Sequence, residues 1–411
     1  MKNLFLYIFI FVASAGLYGQ EFSSFEVEDF EKERNYGGFN YFQLTLHKGA
    51  HPTGTAYLQE IFSGGYWAAT FRIGAQATGR KEWQRLHNYP QYGLGFASFN
   101  LGGPKADSAV GSPAALYFFI GLPWARFGRF SINTDLELGL SYDFKPYDEI
   151  ENPYQDVIGA STNLHFGLGL IFYYELSDRV DLCAGLELYH FSNGRMFTPQ
   201  KGINLAGLNL GLAYHFNPIK NYTKLVDPDY QPPLRPEFVR AEKPAFKSHH
   251  EFQFLASIAS VQAEPGDAKD ENGERDTTGA KGPRYAASTI AIDYAYQVAR
   301  KIKLNTGFDL FYDGSVEYLY DDILPQDVKF SQKTSAGYHV GFQYLIERFT
   351  FIYNLGWYIY KDFEQRGTWY QRAGGRIGIT DNLDVHIALK TRNGGIADWI
   401  EWGIVYKLRV N

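Results

Sequence analysis

Several long stretches of the chain alternate strictly between apolar and polar positions. From 132 to 144 the even positions are almost all apolar, with Leu136 and Leu138 at the centre, while Asp135 and Glu137 stand at odd positions. Such alternation places the two sets on opposite faces of a strand. Strands of about ten residues flanked by aromatic side chains are typical of outer-membrane barrels, whereas strands in globular proteins usually have about 5–6 residues. We therefore predict an all-β, antiparallel transmembrane barrel and keep a soluble β-protein as an alternative.

Sixteen such stretches form two groups of eight on either side of residues 217–248, which contain six of the 17 prolines. Proline cannot donate to a strand ladder, so this segment is expected to be a linker. The pattern predicts two eight-stranded barrels or one sixteen-stranded barrel. Predicted strands lie at 39–48, 65–76, 91–101, 114–125, 130–144, 161–175, 180–193 and 204–216, and then at 250–262, 285–298, 302–313, 335–345, 349–360, 369–379, 383–391 and 398–409.

The N-terminus has the features of a secretory signal peptide. Lys2 precedes an apolar run from Leu4 to Ala13, and small residues follow up to Gly19. A membrane anchor would need about 20 apolar residues. We expect a signal peptide at 1–19, a barrel at 20–216, a Pro-rich periplasmic linker at 217–248 and a second β-barrel-like half at 249–411. Export of a barrel implies the outer membrane of a Gram-negative bacterium.

Connection lengths predict which end of the barrel faces the periplasm. Periplasmic turns are short and external loops are long, and most connections between the first eight predicted strands alternate in this way. The connection 76–90 is an exception, because it is long for a periplasmic turn.

Composition and net charge limit the classes of ligand and cofactor that the protein can be expected to bind. The net charge of −6 gives no basic footprint for nucleic acid, and the single cysteine, Cys183, excludes a disulfide framework and a Cys-based zinc cluster. Phe, Trp and Tyr make up 17 % of the chain and charged residues 20 %. No phosphate-binding or dinucleotide motif is present, so neither a metal nor a cofactor is predicted.

Three polar residues lie at the ends of two neighbouring predicted strands, on the face that is otherwise apolar. His190 and Ser192 are two residues apart on the predicted strand 180–193 and continue its lipid-facing side. Asn204 continues the apolar face of the next strand, so the three side chains are expected to cluster on the outer wall at the rim. One interpretation is that they lie at headgroup level. The other is a serine nucleophile activated by an imidazole, which on such a wall would attack a lipid.

This segment resembles the PagL-type lipid A 3-O-deacylases of Gram-negative outer membranes. The resemblance lies in His-x-Ser-Asn followed by Pro199 and by Gly202-Ile203 at matching spacing, and it extends weakly over residues 36–216. It implies that His190 is the catalytic base and Ser192 the nucleophile. The implied substrate is lipid A or lipopolysaccharide in the outer leaflet. We further expect Asn193 and the Gly194 amide to stabilise the oxyanion, and leave a homodimer open.

One position departs from the family pattern. The family has a Glu directly after Gly-Ile, and this chain has Asn204 there. A carboxylate orients the imidazole and stabilises its charged form, while an amide only orients it, as in Cys-His-Asn enzymes. Glu187 is no substitute because its parity points it into the lumen; Asp148, Glu149 and Glu151 on the 145–160 loop remain alternatives.

The two halves differ in this motif. Lys390, Thr391 and Arg392 stand where the second half would carry the pair, so that half is expected to be a scaffold or a partner-binding half and not a second hydrolase. The resemblance thus implies an outer-membrane serine esterase that removes an ester-linked acyl chain from lipid A or a related lipid, and the facing of the residues supports a site on the lipid side. The alternative is a non-catalytic outer-membrane pore or structural barrel.

Overall fold

The fold is described by a computed structural model. The predicted signal peptide and most of the Pro-rich segment 217–248 lie outside the residues that the structure describes. Those residues are 39–52, 56–62, 64–79, 81–216, 235, 238, 246–263, 282–319, 327–362 and 367–410.

The first eight strands form a closed antiparallel barrel in which each strand pairs with the next. The barrel closes between its first and last strands, where Phe42 lies opposite Tyr214. The strands are β1 (Phe39–Ala50), β2 (Tyr66–Gln76), β3 (Gln91–Asn100), β4 (Gly111–Phe127), β5 (Phe130–Phe144), β6 (Asn163–Glu175), β7 (Val180–Ser192) and β8 (Ile203–His215), with short helices α1 (Ala56–Ile61), α2 (Glu82–Leu86) and α3 (Pro104–Ala109) between them.

The next eight strands close separately. Ile404 of the last strand lies opposite Ala256 of the first, so the chain forms two eight-stranded barrels rather than one of sixteen strands. The strands are β9 (His250–Gln262), β10 (Arg284–Ala299), β11 (Ile302–Asp313), β12 (Thr334–Ile346), β13 (Phe349–Lys361), β14 (Trp369–Gly378), β15 (Leu383–Arg392) and β16 (Ile396–Val410), with helices α4 (Val316–Leu319) and α5 (Phe330–Lys333). Among the described residues, no helix has the length and apolar character to cross a membrane.

The alternation in sequence becomes an alternation between lumen and outer wall. On β1, Leu44 and Leu46 are 56 % and 60 % exposed, whereas the intervening Gln43, Thr45 and His47 are buried. A soluble protein rarely exposes a continuous apolar band of this size. An apolar outer wall around a polar interior is the arrangement that a lipid bilayer requires.

A polar network fills the lumen of the first barrel. The Arg72 guanidinium lies 2.6 Å from Asp135 and also binds Glu137, which in turn lies 2.8 Å from His165. All four side chains are buried, and so is the inward-facing Glu187. The inward facing that parity predicts for Glu187 is what the structure shows.

The lumen of the second barrel is filled in the same way. Arg372 lies 2.8 Å from Asp309 and 2.7 Å from Glu401, and His339 lies 2.6 Å from Asp309. Buried charges require partners of this kind, because a lone buried ion is very costly. Within the described strands, the filled lumens leave no open aqueous path of the kind that wide barrels enclose.

The two barrels touch at the end that carries the short strand connections, which we call the turn end. The long connection 76–90 contains α2, and its Glu82 lies 3.1 Å from Arg300, while Lys81 lies 3.0 Å from Glu347. Arg300 and Glu347 belong to tight turns of the second barrel. This unusually long connection thus contacts the neighbouring barrel.

A neutral histidine completes this contact. His87 Nδ1 lies 3.1 Å from the Tyr344 hydroxyl of the second barrel. Burial, with the nearby charge of Lys301, lowers the pKa of His87 to about 3, so its ring is uncharged at neutral pH. The turn-end interface therefore combines surface ion pairs with a partly buried polar contact.

Filled lumens predict that the purified protein forms no large, steady channel in a planar bilayer. Eight-stranded barrels leave room only for side chains. Single-channel recording checks this, with recovery of the same preparation in reconstituted vesicles as the control for insertion. Large steady current steps would contradict a closed interior.

Candidate active site

The candidate site lies at the opposite end of the first barrel, which we call the loop end. His190 on β7 is directly opposite Asn204 on β8, and its Nδ1 lies 2.8 Å from Asn204 Oδ1. An amide oxygen can only accept a hydrogen bond, so this contact places the ring proton on Nδ1. The basic Nε2 of His190 is then free to take a proton from another group.

Ser192 is the last residue of β7 and lies opposite Leu164 of β6. Its side chain is buried, and its Oγ accepts a hydrogen bond from the Gly194 amide at 3.2 Å. In the described part of the chain, no hydrogen bond joins Ser192 Oγ to the His190 ring. Such bonds often form only when substrate is bound.

The backbone of Gly202 lies against the side chains of both His190 and Ser192. A Cβ added to Gly202 would lie 3.1 Å from His190 Cε1 and 3.3 Å from Ser192 Cβ. The backbone of Gly202 is left-handed, with φ of 69°, which favours glycine. The sequence identified Gly202 only as part of a motif; its position against both side chains needed the structure.

Asn193 and Gly194 begin the loop that follows the serine. Asn193 Oδ1 accepts a hydrogen bond from the Phe197 amide at 3.3 Å, so the side chain also shapes the loop. Gly194 has a left-handed φ of 59°, and its amide is aimed at Ser192 Oγ. The two residues thus lie beside the serine.

Of the carboxylates considered from sequence, Glu187 and Asp148 are engaged elsewhere, and Glu149 and Glu151 are exposed on their loop. Glu187 points into the lumen, where it accepts a hydrogen bond from Asn209 at 2.8 Å. Asp148 Oδ1 accepts hydrogen bonds from the backbone of its own turn, at Ile150 and Glu151. Asn204 is the described side chain that hydrogen-bonds the His190 ring.

The second barrel differs at the corresponding place. Lys390 is fully buried in its lumen. Its Nζ donates to the Tyr358 hydroxyl at 2.7 Å and lies 4.4 Å from the Trp399 ring centre. Ion pairing with Asp398 and cation–π contact give this lysine a packing role.

An open apolar groove of about 660 Å³ runs along the outer wall of the first barrel. It includes the facing pair Leu186 and Leu208, which lies four residues from His190 along β7, or roughly 13 Å at strand spacing. Most of the lining residues are apolar, and Lys48 is among the polar ones; the large apolar side chains are Leu46, Trp67, Phe172, Leu186, Leu208 and Leu210.

Comparison with known protein families gives two matches. Residues 69–213 match the family described as lipid A 3-O-deacylase (PagL). Residues 250–410 match the one described as acyloxyacyl hydrolase, C-terminal domain. Together the matches span well over half of the chain. No curated protein matches it.

Several solved structures are similar to this chain at low identity. Neisserial surface protein A is 12 % identical with a TM-score of 0.30, covering 44 % of this chain and 100 % of its own. The outer-membrane enzyme PagL is 16 % identical with a TM-score of 0.28, covering 41 % and 97 %. The Pseudomonas putida toluene transporter TodX is 10 % identical with a TM-score of 0.17, covering 90 % and 89 %.

The closed barrels with their apolar walls define an outer-membrane protein of Gram-negative type. Within that class, the chain belongs to the PagL family of lipid A deacylases. This confirms the resemblance inferred from the motif around His190 and Ser192. Family membership itself implies a lipid A or lipopolysaccharide substrate in the membrane.

Replacing Gly202 with alanine is expected to lower activity at least about tenfold, because a small misplacement of reacting groups is costly. The new Cβ would lie 2.7 Å from the Phe191 carbonyl oxygen and close to the His190 ring. Deacylation by the purified variant measures the effect. Gly128→Ala is the control, since Gly128 has a similar φ of 57° but nothing within 4 Å. Equal activity in both variants would contradict the steric role of Gly202.

Proposed function

We propose that the protein is a serine esterase that removes an ester-linked acyl chain from lipid A or a related lipid. The observation that carries this proposal is the His190–Asn204 hydrogen bond beside Ser192, at the rim of the outer wall. A site at that height meets the ester bonds of a lipid rather than a soluble substrate. Membership in the PagL family supports the same chemistry.

In the proposed first step, Ser192 Oγ attacks the ester carbonyl while His190 Nε2 takes the hydroxyl proton. Collapse of the tetrahedral intermediate breaks the ester bond, and His190 returns the proton to the leaving sugar hydroxyl. A water molecule, deprotonated by His190, then releases the fatty acid and restores Ser192. The Gly194 amide and the Asn193 side chain are the proposed donors to the oxyanion.

The groove on the outer wall is the proposed site for the acyl chain. It is lined by leucine and aromatic side chains and lies below the His190–Asn204 pair. Burial of each methylene contributes about 0.8 kcal/mol relative to water. Because the chain starts in lipid, this apolar wall mainly aligns it and does not extract it from solvent.

In the proposed mechanism, Asn204 limits the rate of turnover. It fixes the imidazole tautomer through its Oδ1, but an amide does not carry the negative charge that stabilises an imidazolium. Turnover is therefore proposed to be slower than with a carboxylate at the same place.

A non-catalytic structural barrel is the second candidate. The amide at position 204, where the family has a carboxylate, is the observation that favours it. The filled lumens count against the pore version of this alternative. A homodimer remains a prediction under either function.

Ser192→Ala is expected to abolish deacylation. Mass spectrometry of lipid A from membranes containing the wild type should show loss of one acyl-chain mass, and the variant should show none. The hydroxyl is the nucleophile, so the loss should be about a thousandfold or more. Equal deacylation by both proteins would contradict the mechanism, and no deacylation by either would favour the structural alternative.

Asn204→Glu and Asn204→Ala should change activity in opposite directions. Glutamate would keep the contact to Nδ1 and add charge, so kcat is expected to rise. Alanine would leave the imidazole without its partner, and kcat should fall about a hundredfold, within the range of general-base effects. Steady-state kinetics of purified proteins provide the measurement. An alanine variant as active as the wild type would show that Asn204 does not orient His190, and a glutamate variant no better than the wild type would show that the missing charge does not limit turnover.

A further inference from the structure

The loop between β7 and β8, residues 193–202, leaves the first barrel and packs on the second. A Cβ at Gly194 would lie 2.4 Å from Ile400 Cγ1 and 3.3 Å from Leu389 Cδ1. Ile400 is only 3 % exposed, although Trp402 and Ile404 on the same outward face are 44 % and 52 % exposed. The loop that follows the catalytic serine therefore covers the outer wall of the second barrel at its rim.

Arg195 anchors this loop. Its side chain is 2 % exposed, and its Nη2 donates to Ser315 Oγ in the connection after β11. Its Nη1 lies 3.6 Å from Asp313 Oδ2, and its Nε donates to the Gln262 carbonyl at 3.4 Å. Each of these partners belongs to the second barrel.

Backbone contacts continue the attachment on both sides of Arg195. The Gln262 amide donates to the Arg195 carbonyl at 2.9 Å. The Thr198 amide donates to Gln262 Oε1, also at 2.9 Å. The Arg284 guanidinium lies 3.9 Å from the Phe197 ring centre. The last residues of β9 and the first of β10 thus hold the loop from 195 to 198.

The held loop controls the surroundings of Ser192. Arg195 has φ of 69°, a conformation that a non-glycine residue keeps only when its surroundings impose it. Arg195 follows directly after Gly194, whose amide donates to Ser192 Oγ. A change at Arg195 would therefore reorient a donor at the serine without any contact with the substrate.

We propose that the second barrel holds the catalytic loop of the first in its working conformation, with Arg195 and Gln262 as positioning residues. This inference rests on the proposed function for its effect on turnover. The second barrel is then a structural part of the active site, although its own strands present a buried lysine at the corresponding position.

Three full-length variants test this role: Arg195→Ala, the milder Gln262→Ala, and Arg300→Ala. Arg300→Ala is the matched control, because Arg300 joins the two barrels at the turn end through Glu82. Folding of every variant is checked by its heat-dependent shift in gel mobility. The readouts are kcat and KM for deacylation of lipid A in detergent micelles, and hydrogen exchange of the peptide covering 193–202.

Arg195→Ala is expected to lower kcat about tenfold to a hundredfold with little change in KM, since misplacement near the serine affects chemistry more than binding. Exchange in 193–202 should become faster. Gln262→Ala should act in the same direction more weakly, and Arg300→Ala should change kcat less than twofold.

Unchanged exchange in both loop variants would overturn the proposal, and so would faster exchange with unchanged kcat. An equal loss in Arg300→Ala would also overturn it, because general loosening of the barrels would then explain the effect. If the wild type turns over no faster than Ser192→Ala, the proposed function fails instead. The exchange measurement then still decides whether the second barrel holds the loop.

Discussion

The structure depends on one constraint: in the hydrocarbon core of a membrane no water is present, so every backbone N–H and C=O group must form its hydrogen bond within the protein. A strand in hydrocarbon must pair on both sides, so each set of eight strands closes on itself. Once the sheet is closed, alternate side chains of each strand point outward to the lipid, where they are apolar, or inward to the lumen, where they are polar. Polar chemistry directed at lipid is then possible only where strands reach the rim, which is where His190 and Asn204 meet.

Much of the fold was predictable because a two-residue period repeats over each long strand. The predicted strands differ from the observed ones by a few residues, and the same parity places His190 and Asn204 on one wall. Closure into two barrels was not predictable, because neighbouring strands pair identically in either arrangement. Arg195 was not identified, since its partners Gln262 and Ser315 lie 67 and 120 residues away in sequence. The roles of the site residues remain predictions.

The site combines a familiar geometry with an altered charge. Asn204 takes the position that the family gives to a carboxylate, and it holds the His190 ring from the facing strand. The hydrogen bond fixes direction, whereas the missing charge affects the stability of the imidazolium. At this position the orientation of the ring and the charge of its partner are therefore separate properties, and the structure shows the first.

The even number of strands in the first barrel has a consequence for how the two barrels can be joined. Eight crossings return the chain to its starting side, so Phe39 and His215 stack at the same end, 4.3 Å apart. His250 and Val410 likewise lie opposite each other in the second barrel. A covalent tether between such units never has to traverse the bilayer. Tandem fusion of barrels is thus compatible with the topology of each, whereas an odd number of strands would place the two ends of a barrel on opposite sides of the membrane.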